Sequence, residues 1–255
     1  MAAPIGLQLY TLREAAAKDG YETVVRRVAE IGYVGVEPAG FPGSSVEAAA
    51  KLFKELGLEV PSIHARFPVG DAKNEAIETA QALGSKRIIA GIGRGDQWDT
   101  LDKIKANCDL INEAAANTAP HGIVVGYHNH WWEFDTVVNG RPAFEYMLEQ
   151  LDPSVFFQID TYWVQVGGHN VVDVLKQVGA RAPLLHIKDG PADSPDADMV
   201  AVGSGAMDWN AIMAASASTA EWHIVELDRC ATDMYAAVAD SYKYLVGKGW
   251  SRGKN

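Results

Sequence analysis

The chain has 255 residues, 48% of them hydrophobic and 22% charged, and a formal net charge of -11. This is ordinary globular material, and the length suits one α/β barrel, the commonest fold that reaches about 250 residues without splitting. The acidic balance excludes a nucleic-acid binder, which needs a basic stripe, and the 22 lysines and arginines form no dense cluster. Cys108 and Cys230 have neither CxxC spacing nor the density of a disulfide framework, so inert thiols in a reducing compartment are expected. The N-terminus lacks the basic start and apolar stretch of a signal peptide, and no apolar run reaches the length of about 18 residues needed to span a bilayer. A cytoplasmic protein with no membrane partner is expected, and self-association into a homo-oligomer is left open.

In chain order, short β-branched or aliphatic runs alternate with longer segments of helical spacing. The predicted strands are "IGLQL" at 5–9, "YVGVE" at 33–37, "LEVPSIH" at 58–64, "KRIIA" at 86–90, "GIVVGYH" at 122–128, "VFFQID" at 155–160, "PLLHIKD" at 183–189 and "WHIVELD" at 222–228. Between them lie amphipathic stretches beginning at residues 21, 45, 74 and 144, three of which close on Gly32, Gly57 and Gly84, where a left-handed cap is expected. Mostly continuous apolar strands separated by helices describe a parallel sheet covered by helices and closed on itself, a single (β/α)8 TIM barrel over residues 1–255. An open doubly wound sheet competes less well, because no GxGxxG follows the first strand. "GIGRGD" at 91–96 lacks the Lys-Ser/Thr ending of a P-loop and reads as a plain connection.

The reaction site of such a barrel lies at the carboxyl ends of its strands. Polar residues terminate the apolar runs there: Glu37, His64, His128 with His130, Asp160, His186 with Lys188, and Glu226 with Asp228. Any one of them reads equally well as a helix cap or a loop acid, and Asp208 before Trp209 is assigned to capping. His121 and His223 are expected to be structural, and His169 to face solvent. Jointly, carboxylates and imidazoles gathered at an apolar mouth form the mixed oxygen and nitrogen set that suits a divalent ion such as Mn, Mg, Co or Zn.

"QLYTLRE", "GYVGVE", "YHNHWWEF", "QIDTYWVQVGG", "LLHIKDG", "VGSGAMDW" and "VELD" follow in the order seen in the sugar isomerase and epimerase superfamily, the xylose-isomerase-like TIM barrels, which this chain resembles over nearly its whole length. The resemblance implies a divalent metal held by a glutamate, an aspartate, a histidine and a glutamate from strands five to eight. Asp160, His186 and Glu226 match the last three. The first ligand departs from the pattern: aligning Asn129 with the family's Glu-x-x-Asn puts Gly126 where the glutamate should stand. Glu133, on the following loop, is the expected replacement, with His128 and His130 as alternatives that would otherwise polarise a substrate oxygen, shuttle a proton or support the ligands.

Trp131, Trp132, Tyr162 and Trp163 interleave with these groups as flat faces for a sugar ring, and Glu37, His64, Trp132, Trp163 and Lys188 are the expected substrate contacts. By strand parity Lys188 faces the same way as His186. For Lys188 the competing reading is a surface salt bridge, and for Glu37 it is orientation of His64 or a helix cap. The expected reaction on a small sugar or keto-sugar is proton abstraction next to a carbonyl by Glu226 or Glu133 through a metal-stabilised enediolate, giving isomerisation or epimerisation. A metal-dependent lyase on a keto-sugar, such as an inosose or a 3-keto-glycoside, is the rival, because the strand-five glutamate is missing. A non-catalytic sugar-binding barrel is a third reading.

Overall fold

A computed structural model describes residues 2–254. Eight parallel strands form the barrel: β1 (Ala3–Gln8), β2 (Gly35–Glu37), β3 (Ile63–His64), β4 (Arg87–Ala90), β5 (Val124–His128), β6 (Phe156–Asp160), β7 (Leu184–Ile187) and β8 (Trp222–Val225). Each pairs in parallel with its neighbour except across β2 and β3, and β8 pairs with β1, Ile5 lying opposite His223. The seam between β2 and β3 is thin. Pro61 has no N–H to donate there, so β3 is only two residues long. A single parallel bridge, Gly35 to Glu59, and the bond from His64 N–H to the Pro38 carbonyl close the gap.

The helices cover the outside for the reason their spacing predicts. The helix Tyr21–Ile31 buries Tyr21, Val24, Val25, Val28 and Ala29, one stripe at helical period. The helix Val46–Leu56 begins where the Ser45 hydroxyl accepts from Ala48 N–H and ends at Gly57, whose φ of 64° only glycine adopts without strain. Asp208 caps the helix Trp209–Ser216 through Ala211 N–H, as expected. His223 is buried and bonded to the Ser251 hydroxyl, a structural role, while His169 is only partly exposed and packs on Phe134. Two small features go beyond the expected eight strands. Val137–Val138 and Arg141–Pro142 form an antiparallel hairpin around Asn139 and Gly140, both at positive φ, and Ser251–Arg252 adds to the start of β1.

Inside the barrel, Val34, Ile89, Phe156, Leu184, Trp222 and Ile224 pack as an apolar plug. Glycines make room for its two largest rings: a Cβ on Gly35 would strike Trp222, and one on Gly126 would strike Phe156. Residues two apart on a strand share a face. Above the plug, the inward positions therefore become Gln8, Glu37, His64, His128, Gln158, Asp160, His186 and Glu226, a polar layer set on an apolar floor.

Candidate active site

Glu37 is the centre of the lower polar layer. It is fully buried, and its carboxylate accepts from Gln8 Nε2 at 2.7 Å, from Gln158 Nε2 at 2.6 Å and from the Ser62 hydroxyl. His186 Nε2 lies 2.7 Å and His64 Nε2 3.2 Å from its Oε1. Burial opposes ionisation, but the charges of His64 and His186 and these hydrogen bonds prevail and hold the carboxyl at about 2. Its oxygens have no capacity left for a substrate.

The upper layer is a cluster of ligand-capable atoms. His128, Asp160, His186 and Glu226 each offer one within 4.8 Å of the others, and among the described residues a second such group, His64, His128 and His186, overlaps it. His186 Nδ1 lies 2.6 Å from Glu226 Oε2, so its ring is clamped between Glu37 and Glu226. Burial opposes a charge on that ring, but the two carboxylates raise it to about 10. Asp160 uses Oδ1 to accept from Trp163 N–H at 2.9 Å, and Asn129 holds its backbone through both N–H and carbonyl. Asp160 Oδ2 has Lys188 Nζ at 3.0 Å, but no donor in hydrogen-bonding alignment, and burial pushes the carboxyl up to about 6. Lys188, only 1% exposed, also lies 2.9 Å from Glu226 and donates to Asp228 Oδ2 at 2.6 Å. Burial disfavours its charge, but the three carboxylates keep it an ammonium ion well above its usual range.

Glu133 lies apart from both clusters. Fully buried, it accepts from Tyr127 OH at 2.5 Å and from His130 N–H at 2.8 Å, and burial pushes its carboxyl up to about 8. Tyr127 OH also accepts from Ile92 N–H at 3.2 Å, and the Ile92 carbonyl accepts from Trp132 Nε1 at 3.1 Å. This chain of bonds ties the β4 and β5 loops into one wall. The His130 ring lies flat on Trp132, 4.0 Å between centroids, with its Nδ1 buried and unpartnered. The wall bounds a cavity of about 410 Å³ lined by Gln8, Tyr10, His64, His128, His130, Trp132, Glu226 and Asp228 with Gly91, Ile92, Gly93 and Ala39.

The expected site residues thus divide by position. His64, His128, His130, Trp132 and Glu226 face the cavity, whereas Asp160, His186 and Lys188 form its buried floor. Glu37 lies beneath that floor, Glu133 behind the wall, and Trp163 under the Lys188 ammonium, 5.1 Å from ring centre to Nζ. Lys188 is not in a surface salt bridge with Asp189. Residues 91–93 are more than a connection, since they line the cavity. Gln8, Ser62, Tyr127 and Gln158 were not anticipated. Ser62 lies two residues before His64 and Gln158 two before Asp160, so strand parity was the available signal for these two, but an uncharged polar residue inside an apolar run does not stand out.

The sequence model described as xylose isomerase-like TIM barrel matches residues 25–233. No curated protein matches the chain. Among solved structures, a sugar phosphate isomerase/epimerase from Parabacteroides distasonis is 23% identical, with a TM-score of 0.76 over 99% of this chain and 96% of that one. The probable 3-DHS dehydratase AsbF of Bacillus anthracis is 15% identical, with a TM-score of 0.76 over 95% and 98%. An IolI protein with a bound zinc atom is 18% identical, with a TM-score of 0.74 over 99% and 100%. At these identities the likeness is one of fold.

Proposed function

The chain belongs to the xylose isomerase-like TIM barrel family, and on that premise we propose that it is a divalent-metal-dependent enzyme that isomerises or epimerises a sugar by removing a proton next to its carbonyl. The observation that carries this reading is the convergence of His128, Asp160, His186 and Glu226 at the floor of a cavity large enough for a sugar. The residues fit a cation: Asp160 Oδ2 is buried without an aligned donor, and Asp160 and Glu226 already gather around an ammonium. Two imidazoles with two carboxylates suit Mn, Co or Zn better than Mg. In this reading the fourth ligand is His128 rather than Glu133, whose carboxyl is engaged by Tyr127 and His130.

An ion held by His128, Asp160, His186 and Glu226 would supply Lewis acidity towards adjacent carbonyl and hydroxyl oxygens of the sugar. Glu37 accepts from His186 Nε2, so an ion that displaced the proton between Nδ1 and Glu226 would take Nδ1 as its ligand, the carboxylate–histidine support that metal sites commonly use. Glu226 reaches the cavity and is the base; burial lowers the His130 ring on the β5 loop to about 3, so it is neutral and returns a proton only from its ring N–H, as a weak acid. Trp132 offers a flat face to the ring.

A lyase acting on a keto-sugar is favoured by one observation. The two carboxylates that line the cavity, Glu226 and Asp228, both follow β8, while Glu133 is sealed behind Tyr127, so no carboxylate faces substrate from β5. One-sided abstraction suits β-elimination wherever a leaving group is present. The test is to strip the protein with a chelator, titrate back Mn, Co or Zn, and follow a ketose in deuterated water by NMR. One ion per chain and ion-dependent label with inverted configuration are expected. Label with retained configuration supports the lyase, and no ion-dependent label, with sugar bound, leaves a non-catalytic barrel.

A further inference from the structure

We propose that this cavity is built for neutral, unphosphorylated sugars and that Asp228 is the residue that turns anionic ones away. The inference rests on the sugar chemistry proposed above for the same cavity.

No lysine or arginine lines the cavity among the described residues. The two cationic groups beneath it are buried and committed: Lys188 to Asp160, Glu226 and Asp228, and the His186 ring to Glu37 and Glu226. Arg13 is engaged elsewhere: its guanidinium donates to the carbonyls of Tyr10 and Asp228 at 3.0 and 2.7 Å and lies 4.2 Å over the Tyr10 ring. His64 directs Nε2 away from a ligand, to Gln158 and Glu37. What the cavity does present is acceptors and neutral polar groups. The Asp228 side chain is 28% exposed and lines the cavity beside Glu226, with Gln8, Tyr10 and the face of Trp132 around it. Sugar hydroxyls donate well to such carboxylates. A phosphate, by contrast, would be desolvated beside Asp228 and Glu226 with no lysine or arginine on the lining to pair with, since an ion on the floor would serve the sugar's own carbonyl and hydroxyl oxygens, and the chain's net charge of -11 repels it at long range.

The test is isothermal titration of the metal-loaded protein with matched pairs, D-fructose against D-fructose 6-phosphate and D-xylulose against D-xylulose 5-phosphate. Each neutral sugar is expected to bind at least about tenfold more tightly than its phosphate. Salt gives a second readout of opposite sign for the two cases: screening a repulsion raises phosphate affinity, whereas screening an attractive site lowers it. Asp228→Asn, checked for fold by its melting temperature, should narrow the ratio; if it does not fold, the salt titration of the native protein decides. Phosphates that bind as tightly as the neutral sugars, phosphate affinity that falls with salt, or failure of both classes to bind would overturn the proposal. Deuterium exchange separates it from the reaction: a preference for neutral sugars without exchange removes the isomerase reading alone, and exchange on phosphates removes this inference alone.

Discussion

Glu37 and Glu133 are both fully buried glutamates near the same cluster, yet they ionise in opposite directions because their neighbours differ. Glu37 faces two imidazoles and three neutral donors and is held at about 2; Glu133 has only uncharged donors, the Tyr127 phenol and His130 N–H foremost, against its burial and rises to about 8. The contrast gives a paired expectation. Glu37→Gln removes the charge that fixes the His186 ring, and metal affinity measured by calorimetry should fall about 10- to 100-fold. Glu133→Gln keeps an acceptor for Tyr127 and should leave metal affinity within about twofold while raising KM, because the Tyr127–Ile92–Trp132 wall loosens. A loss of bound metal in Glu133→Gln would instead restore that residue as a ligand.

Strand β5 shows how one element sets both packing and chemistry. Gly126 and His128 share its inward face: at 126 the space belongs to the Phe156 ring, and at 128 a side chain reaches the cluster. The glycine is therefore explained by the plug. Gly126→Ala should cost about 1–3 kcal/mol by overpacking, read as a lower denaturation midpoint at unchanged slope. No change in midpoint would mean that Phe156 does not fill that space. The segment after β7 is organised by a single side chain. Asp189 accepts from Gly190, Gly203 and Met207 N–H and from Trp209 Nε1, which accounts for the order of residues in "VGSGAMDW". With Asp189 turned to that loop, the alternation of β7 leaves Lys188 facing inward.

For the whole molecule, gathering the buried Asp160, Glu226 and Glu37 and the partly exposed Asp228 around Lys188 and the His186 ring leaves an excess of negative charge at the barrel mouth, which a divalent ion would balance. An ion that binds only the native state, at 100 times its dissociation constant, adds about 2.7 kcal/mol, and for a chain of this size that shifts Tm by roughly 5–10 °C. Mn, Co or Zn should raise Tm by this amount, and a chelator should reverse it. An unchanged Tm across all three ions would remove the metal from the account. No helix among the described residues is long and apolar enough to cross a membrane.

The sequence by itself determined the repeating strand–helix order, because hydrophobic period is local and each strand carries its own record of being buried on both faces. It also determined which end of the barrel is polar, since strand parity and the position of each charged residue are read along one segment at a time. Asp160, His186 and Glu226 were legible for that reason. The hairpin at Asn139–Gly140 had a local signal in its Asn-Gly pair, although no strand was expected there. The rest came from tertiary contacts: Gln8, Ser62 and Gln158 become a support for Glu37 once four strands close around it, His128 comes to stand with Asp160, His186 and Glu226, and Glu133 is engaged by Tyr127 and His130 N–H. The physical reason is that hydrogen-bond partners and desolvation belong to pairs of residues distant in the chain, and no local pattern records which pairs will meet.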